Sequence, residues 1–159
     1  MTTPSVRAMV PGDIPLIAGW MANDALWRRY QLSAETIAAD FMRGLERGDL
    51  IVVADTDLPA RGFAWCLLDG MFGARPYLKR FGVDPGVAGK GLGSLLLDNL
   101  ERELLSRQCH DLFLLVSDFN LDAQRFYQRR DYREIGRIPD LVLIGVAEVI
   151  FRKQLARLS

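Results

Sequence analysis

The chain has 159 residues, half of them hydrophobic, which suits one domain with a single well-filled core. Its 20 basic and 20 acidic residues cancel, so no net field favours binding to nucleic acid or to an anionic membrane. One histidine and two distant cysteines without metal spacing argue against a metal site or a histidine triad. No apolar run approaches a membrane span and no signal-peptide core precedes the first strand, so the chain is expected to be cytoplasmic.

The first half of the sequence predicts a strand, two helices and a three-stranded meander. Ile14, Ile17 and Met21 recur at helical spacing in the first helix, and Ser33 begins the second. Apolar runs with β-branched or aromatic residues, separated by turn residues, predict the strands. The predicted bounds are strand 5–9, helices 11–22 and 34–47, and strands 50–54, 62–68 and 76–83.

The second half predicts a long helix, a buried strand, a second helix and a final hairpin. Four leucines spaced four apart mark the long helix: Leu92, Leu96, Leu100 and Leu104. The predicted bounds are helix 91–106, strand 111–117, helix 121–130, and hairpin strands 133–138 and 147–152, with 141–145 in the connection. A right-handed crossover makes strands 76–83 and 111–117 parallel neighbours. The fold class is therefore α/β (α+β), a mixed sheet with helices on both faces, in one domain covering residues 1–159.

A glycine-dense segment, 83–94, joins strand 76–83 to the long helix. Glycine lets the main chain approach a ligand closely, and a helix N-terminus offers N–H groups and partial positive charge to phosphate. A Walker loop is excluded because Asp84 and Gly91 occupy two of its required positions. A dinucleotide fingerprint lacks its third glycine, which is Ser94 here. The segment therefore predicts a site for a different diphosphate-bearing cofactor.

Two motifs carry a family resemblance. Residues 88–93 read Ala-Gly-Lys-Gly-Leu-Gly and resemble the acyl-CoA loop Arg/Gln-x-x-Gly-x-Gly/Ala, with Ala88 in place of Arg or Gln. Residues 120–132 are similar to Asn-x-x-Ala-x-x-Phe-Tyr-x-x-x-Gly-Phe/Tyr, with Asp131 in place of Gly. In this order, the motifs resemble the GNAT superfamily of N-acetyltransferases over essentially the whole chain. The resemblance implies a GNAT-like, mostly antiparallel central sheet with a splayed parallel strand pair at the cofactor site.

The resemblance also implies how acetyl-CoA would bind. Main-chain groups of Phe81 and Val83 would pair with pantetheine, and Gly82 between them is either a bulge residue or a glycine tolerated near a strand end. Backbone N–H groups of residues 88–94 would hold the pyrophosphate. Lys90 either compensates for Ala88 or is a solvated loop lysine, and Ser94 either contacts phosphate or caps the helix. The implied cofactor-binding residues are Phe81, Val83, Ala88, Gly89, Lys90, Gly91, Gly93, Ser94 and Asn120.

The resemblance makes Tyr127 the candidate catalytic residue, donating a proton to the leaving thiolate as general acid. From spacing alone, Tyr127 would only line a packed helix face. Asn120 is suited to cap the same helix and contacts the cofactor in the family. In many relatives a glutamate on the strand before the glycine loop, or on the strand after the long helix, acts as the general base. The corresponding strands here, 76–83 and 111–117, contain no glutamate. Asp118 and Glu148 remain to be tested as bases, but a helix-approach acid and a hairpin salt bridge are the favoured interpretations, and ordered water could replace both.

The sequence therefore predicts an enzyme that moves an acetyl group from acetyl-CoA to a primary amine of a small molecule or peptide by direct attack. The alternative is a non-catalytic acyl-CoA-binding module or sensor. Trp20, Trp27 and Tyr30 could enclose the amine or simply seal the helices onto the sheet. The apolar connection 141–146 is a candidate edge of a homodimer, and no metal, nucleic acid or membrane partner is expected.

Overall fold

The structure, a computed structural model, describes residues 2–155. These residues form seven strands, five α-helices and two single 3-10 turns. The strands are β1 Ser5–Ala8, β2 Leu50–Asp55, β3 Gly62–Met71, β4 Arg75–Val83, β5 Asp111–Ser117, β6 Arg133–Pro139 and β7 Ala147–Gln154. The helices are α1 Ile14–Ala22, α2 Ala25–Arg29, α3 Ala34–Arg47, α4 Leu92–Ser106 and α5 Leu121–Arg129, and the 3-10 turns are Pro11–Asp13 and Pro85–Val87.

The strands form one sheet in the order β1-β2-β3-β4-β5-β7-β6. Strands β1, β2 and β3 are antiparallel neighbours, as are β5, β7 and β6. The parallel pair is β4 and β5, whose register joins Tyr77 to Phe113 and Leu78 to Leu114. This arrangement confirms the predicted mixed, mostly antiparallel sheet with a parallel pair at its centre.

Two elements differ from the sequence prediction. Helix α2 was not predicted, because its five residues are too few to show a hydrophobic period; it begins where the Asp24 side chain accepts a hydrogen bond from the N–H of Leu26. Strand β3 continues to Met71 through Asp69 and Gly70, which resembled a turn in the sequence. The turn comes later, at Phe72 and Gly73, which both adopt positive φ.

The described residues divide into two compact units. The first contains residues 2–66 and 80–102, and the second contains 67–79 and 103–155. The chain passes from one unit to the other inside β3, β4 and α4. None of the helices between residues 2 and 155 combines the length and apolar character that a bilayer crossing requires.

Aromatic side chains dominate the core of the first unit. Phe41 stacks on Trp65 at 4.9 Å between ring centroids and meets Phe63 edge-on at 5.0 Å. Each such contact adds about 0.5–1.5 kcal/mol to the burial of the rings. The Trp65 indole N–H donates to Asp49 at 3.0 Å, which satisfies its one polar group. All three tryptophans of the chain, Trp20, Trp27 and Trp65, belong to this unit.

The second unit is built on the pairing of β5 with β7, which continues over seven residue pairs from Asp111↔Gln154 to Ser117↔Glu148. Alternate residues of both strands are apolar and buried: Leu112, Leu114, Val116, Val149 and Phe151.

The predicted leucine stripe of α4 is confirmed, since its four leucines are at most 2% exposed. Cys66 is buried, Cys109 is half-buried, and neither forms a disulfide.

Candidate active site

The glycine-dense segment begins at a fixed aspartate. Asp84 follows β4 and is 9% exposed, and its carboxylate accepts from Arg61 Nη1 at 2.5 Å and from the N–H of Gly86 at 2.9 Å. Its own N–H donates to the carbonyl of Arg61 at 2.8 Å. A charge-assisted pair that also bonds the backbone fixes chain direction. Asp84 therefore determines how the segment leaves the strand.

The glycines of the loop adopt a conformation that other residues resist. Gly89 and Gly91 both have φ of 79°, and a Cβ at either position would meet nothing within 4 Å. The carbonyl of Gly91 accepts the first helical bond, from the N–H of Leu95 at 3.1 Å, so Gly91 is the N-cap of α4. The next N–H groups, those of residues 92–94, have no carbonyl four residues earlier in the helix. They and the dipole of this 15-residue helix suit an anion.

The other loop residues have distinct surroundings. Ala88 is exposed, and its N–H already donates to the carbonyl of Pro85 at 3.3 Å, so that group is partly engaged within the loop. Lys90 is exposed, and Gly93 is half-buried in the first turn of α4. Ser94 is the third residue of the helix, so the capping role considered for it belongs to Gly91.

Gly82 is required by aromatic packing. A Cβ at this position would lie 2.9 Å from Phe63 Cε1, 3.3 Å from Trp20 Cη2 and 3.3 Å from Trp27 Cζ2. Any larger residue would therefore push against three rings at once. Phe81 and Val83, on either side, are half-buried. The two sequence interpretations of Gly82, as a bulge or as a tolerated glycine, both missed this cause, because neighbours distant in sequence determine it.

The same rings form an aromatic cluster defined by Trp20, Trp27, Tyr30 and Phe63. Trp20 lies 5.9 Å from Phe63 and donates its indole N–H to the carbonyl of Ala60 at 3.0 Å. Trp27 lies 6.5 Å from Phe63 and 6.4 Å from Tyr30. The interpretation of Trp20 as a sealing residue agrees with these contacts. Trp27 and Tyr30, on and after α2, keep part of their surface exposed.

In the second unit, Asn120 caps α5. Its side chain accepts from the N–H of Ala123 at 3.2 Å, and its own N–H donates to the carbonyl of Ser117 at 2.9 Å. Gln124, one turn further, donates to the carbonyls of Ser117 and Asp118. The capping role expected for Asn120 is therefore observed, and α5 is tied to the end of β5 by three side-chain and main-chain bonds.

Tyr127 lies on the buried face of α5. It is 6% exposed, and its ring meets Tyr132 at 5.5 Å and Phe151 at 6.4 Å between centroids. Burial raises the pKa of the Tyr127 phenol well above its ordinary value. The hydroxyl is therefore protonated at neutral pH.

Asp131, the residue that departs from the second motif, lies at the C-terminal end of α5. Asp131 has φ of 69°, and its N–H donates to the carbonyl of Gln128 while the N–H of Tyr132 donates to that of Tyr127. These two bonds form a Schellman motif, in which the left-handed position usually belongs to glycine. Aspartate occupies it here at a conformational cost.

The two candidate bases have different surroundings. Asp118 accepts the N–H of Ala147 at 3.0 Å and donates its own N–H to the carbonyl of Ala147 at 2.8 Å, so it fastens β7 to the end of β5. The salt bridge expected for Glu148 is wrong: within residues 2–155 no cation pairs with it, and it is 6% exposed. Burial raises the pKa of Glu148, a hydrogen bond from Ser117 partly offsets this, and the charge of Asp118 adds a smaller rise.

No cluster of three or more histidine, cysteine, aspartate or glutamate side chains suitable for a metal ion occurs in the described part of the chain.

The sequence model of the acetyltransferase (GNAT) family matches residues 20–132. An acetyltransferase of Pectobacterium atrosepticum is 30% identical over 90 residues, which are 57% of this chain and 62% of that protein. The chain spans about three fifths of the length of the curated relatives it matches.

Solved structures share the fold. A GNAT-family structure from Desulfovibrio desulfuricans superposes with a TM-score of 0.82 at 18% identity, covering 97% of this chain and all of that one. A structure from Salmonella typhimurium, solved with its cofactor acetyl-CoA, gives a TM-score of 0.76 at 17% identity, covering 98% of this chain and 96% of that one. At these identities the likeness establishes the architecture.

Proposed function

Because the chain belongs to the acetyltransferase (GNAT) family, we propose that it transfers an acetyl group from acetyl-CoA to a primary amine of a small molecule or peptide. The observation that carries the proposal is the loop in which left-handed Gly89 and Gly91 lead into the N-terminus of α4. The amine attacks the thioester directly, without a covalent enzyme intermediate. The Salmonella typhimurium relative with acetyl-CoA supports the choice of acyl donor.

The residues of the loop fit a diphosphate. The N–H groups of Leu92, Gly93 and Ser94 at the start of α4 bind phosphate oxygens, and the glycines keep the backbone free of side chains. Lys90 adds a solvated positive charge. The main-chain groups of Phe81 and Val83 pair with pantetheine, and the thioester supplies the activated acetyl group.

Tyr127 acts on the leaving group. As the carbon–sulfur bond breaks, negative charge develops on sulfur, and a phenol that stays protonated can donate to it. The rings that pack on Tyr127 fix its orientation. Asn120 holds the start of the helix and, in this proposal, also contacts the cofactor.

A second function has one observation in its favour. Ala88 removes the long side chain that the family's loop carries, and this favours a non-catalytic acyl-CoA-binding module or sensor. Such a module would bind acetyl-CoA without releasing CoA in the presence of any amine. The buried, protonated Tyr127 favours the enzyme, because a binding module needs no proton donor.

The acceptor and the assembly state are also part of the proposal. The partly exposed Trp27 and Tyr30 suit an amine with an apolar or aromatic body.

Exposed apolar side chains after β6 suit a homodimer, with Val142 55% and Ile144 95% exposed. Sedimentation of the protein and of Ile144→Asp tests the dimer: a monomeric wild type would contradict it. Two cysteines that form no disulfide agree with a cytoplasmic location, which stays a prediction.

The proposal is tested by calorimetric titration with acetyl-CoA, followed by CoA release over a panel of alkylamines, arylamines, free peptide N-termini and lysine peptides. Gly91→Glu should abolish binding, because it strains the loop and adds negative charge to it. Gly48→Glu is the matched control, since Gly48 also has positive φ and open space but ends α3. Binding lost only in Gly91→Glu supports the cofactor site, and binding without turnover supports the sensor.

A further inference from the structure

One buried acid differs from the others. The described residues include four buried carboxylates, those of Asp13, Asp84, Asp111 and Glu148. Each aspartate pairs with an arginine: Arg7 with Asp13, Arg61 with Asp84 and Arg152 with Asp111. Among residues 2–155, Glu148 is the buried carboxylate that has no cation; its Oε2, like Oδ1 of Asp111, is buried without a hydrogen-bond partner. A buried carboxylate without a cation is costly in its charged form, so the fold gains no stability from this residue that an ion pair would explain.

The groups that act on Glu148 are few. Ser117 lies directly opposite on β5 and donates its hydroxyl to the carboxylate, Asp118 adds a like charge, and Ile138 faces it from β6. Burial and Asp118 raise the pKa of Glu148, and Ser117 lowers it in part. A carboxylate whose pKa is raised is a stronger base than one with the ordinary pKa.

The position of Glu148 matches what a base needs. It lies at the first residues of β7, beside the carboxyl end of β5, where α5 begins. Phe151, three residues later, packs on Tyr127. Because strand residues alternate between faces, Glu148 points to the face of β7 opposite Phe151. In direct acetyl transfer the amine approaches the carbonyl from one side while sulfur leaves on another, so acid and base need to be separated.

We propose that Glu148 is the general base that accepts the proton of the attacking amine, an inference that rests on the proposed acetyl transfer. As the nitrogen–carbon bond forms and the carbon–sulfur bond breaks, one proton passes from the amine nitrogen to the Glu148 carboxylate. The leaving sulfur takes a proton from the Tyr127 phenol. Exchange with water then restores both residues, so no oxidant, metal or further reactant is needed.

The test compares Glu148→Gln with wild type, using the fastest acceptor of the amine panel as the probe. The variant should bind acetyl-CoA with unchanged Kd and lose about 100-fold in kcat/KM. The acidic limb of the wild-type pH–rate profile should disappear. Ser117→Ala removes a hydrogen bond that stabilises the charged form, so it should move that limb to higher pH.

A stability measurement separates a catalytic from a structural role. Because Glu148 is a buried carboxylate without a cation, replacing it with neutral Gln should raise the melting temperature at pH 8, by about 3 °C. The gain should vanish at pH 4, where the glutamate of the folded protein is protonated. Asp111→Asn is the matched control: it breaks an arginine pair and should lower the melting temperature without moving the pH–rate profile.

The outcomes divide cleanly. Wild-type turnover with an unaltered rate and pH profile in Glu148→Gln would overturn this inference and leave the proposed function standing. A Glu148→Gln protein that is destabilised at pH 8 to the same degree as Asp111→Asn would assign the residue a structural role. Wild-type binding without turnover on any amine would overturn the proposed function, and the inference with it.

Discussion

At position 88, a methyl group stands where the acyl-CoA loop of the family carries arginine or glutamine. The exposed site and the extended backbone of Ala88 can accept a long side chain without strain. Ala88→Arg should lower the Kd for acetyl-CoA about 10-fold, because a guanidinium adds a charge-assisted contact to phosphate. Titration calorimetry measures the change. Ala88→Leu supplies the bulk without the charge, and equal affinities of the two variants would mean that the side chain does not face the phosphates.

Tyr127 can lose its hydroxyl while its ring contacts remain. Tyr127→Phe should lower kcat about 100-fold with little change in the Kd for acetyl-CoA, since the packing on Tyr132 and Phe151 is retained. CoA release under saturating substrates measures kcat. An active variant with wild-type kcat would remove the phenol from the mechanism.

Asp131 holds a conformation that costs other residues more than glycine. Asp131→Gly should raise the free energy of unfolding by about 1 kcal/mol, because glycine adopts the left-handed position of the Schellman motif without steric penalty. Urea unfolding measures the gain. Asp122→Gly makes the same replacement inside the first turn of α5 and should lower stability by about 0.5–1 kcal/mol. Equal effects at both positions would contradict this account of Asp131.

At the scale of elements, strand β1 is joined to the turn that precedes α1 by an ion pair between half-buried Arg7 and buried Asp13. Arg7 donates to both carboxylate oxygens of Asp13 at 2.8 Å, and the N–H of Val10 adds a third bond at 2.8 Å. The Arg7 hydrogen bonds lower the pKa of Asp13 below its ordinary value, against the opposing effect of burial. The pair therefore stabilises the fold above the ordinary aspartate pKa, and its contribution is lost as pH falls through the lowered one.

Asp13→Asn should destabilise the protein by about 1–2 kcal/mol at pH 7, a value limited by the solvent exposure of Arg7. The difference between variant and wild type should shrink as pH falls through the lowered pKa of Asp13, where the wild-type carboxyl becomes neutral as well. Urea unfolding at pH 7, 4 and 2.5 measures it. A difference that stays constant with pH would show that shape, rather than charge, accounts for the effect.

Elements that carry a hydrophobic pattern over many residues were predictable from the sequence. Features that depend on contacts with residues distant in sequence were not. The leucine stripe of α4 and the continuous apolar run of β5 gave bounds close to those observed. Helix α2 has only five residues, so its start depends on the Asp24 cap and carries no period. The role of Gly82 depends on three rings from other elements.

In the candidate site too, the features that depend on local sequence were predictable, and those that depend on strand pairing were not. The glycine loop and the capping by Asn120 depend on local sequence, so the motifs located them. The isolation of Glu148 from cations depends on pairing between β5 and β7, which its alternating neighbours Val146 and Ile150 do not reveal. Sequence reasoning could name Glu148 but favoured a salt bridge because exposed hairpins commonly carry one.

At the scale of the whole molecule, the two compact units share three elements, β3, β4 and α4, which each contribute residues to both. We propose that they unfold together, as the single domain expected from the sequence, because breaking one unit would interrupt strands and a helix of the other. Scanning calorimetry should give one transition whose calorimetric and van't Hoff enthalpies agree. Two resolved transitions would show that the units unfold independently.

The placement of Trp20, Trp27 and Trp65 has a spectroscopic consequence. All three belong to the unit that contains the glycine loop, whereas Tyr77, Tyr127 and Tyr132 belong to the other. Emission excited at the red edge of indole absorption therefore reports on the first unit alone. A change in tryptophan fluorescence during addition of acetyl-CoA would therefore report on the first unit, including the aromatic cluster. The second unit would contribute no tryptophan signal, and following it would require a label, for example at the half-buried thiol of Cys109.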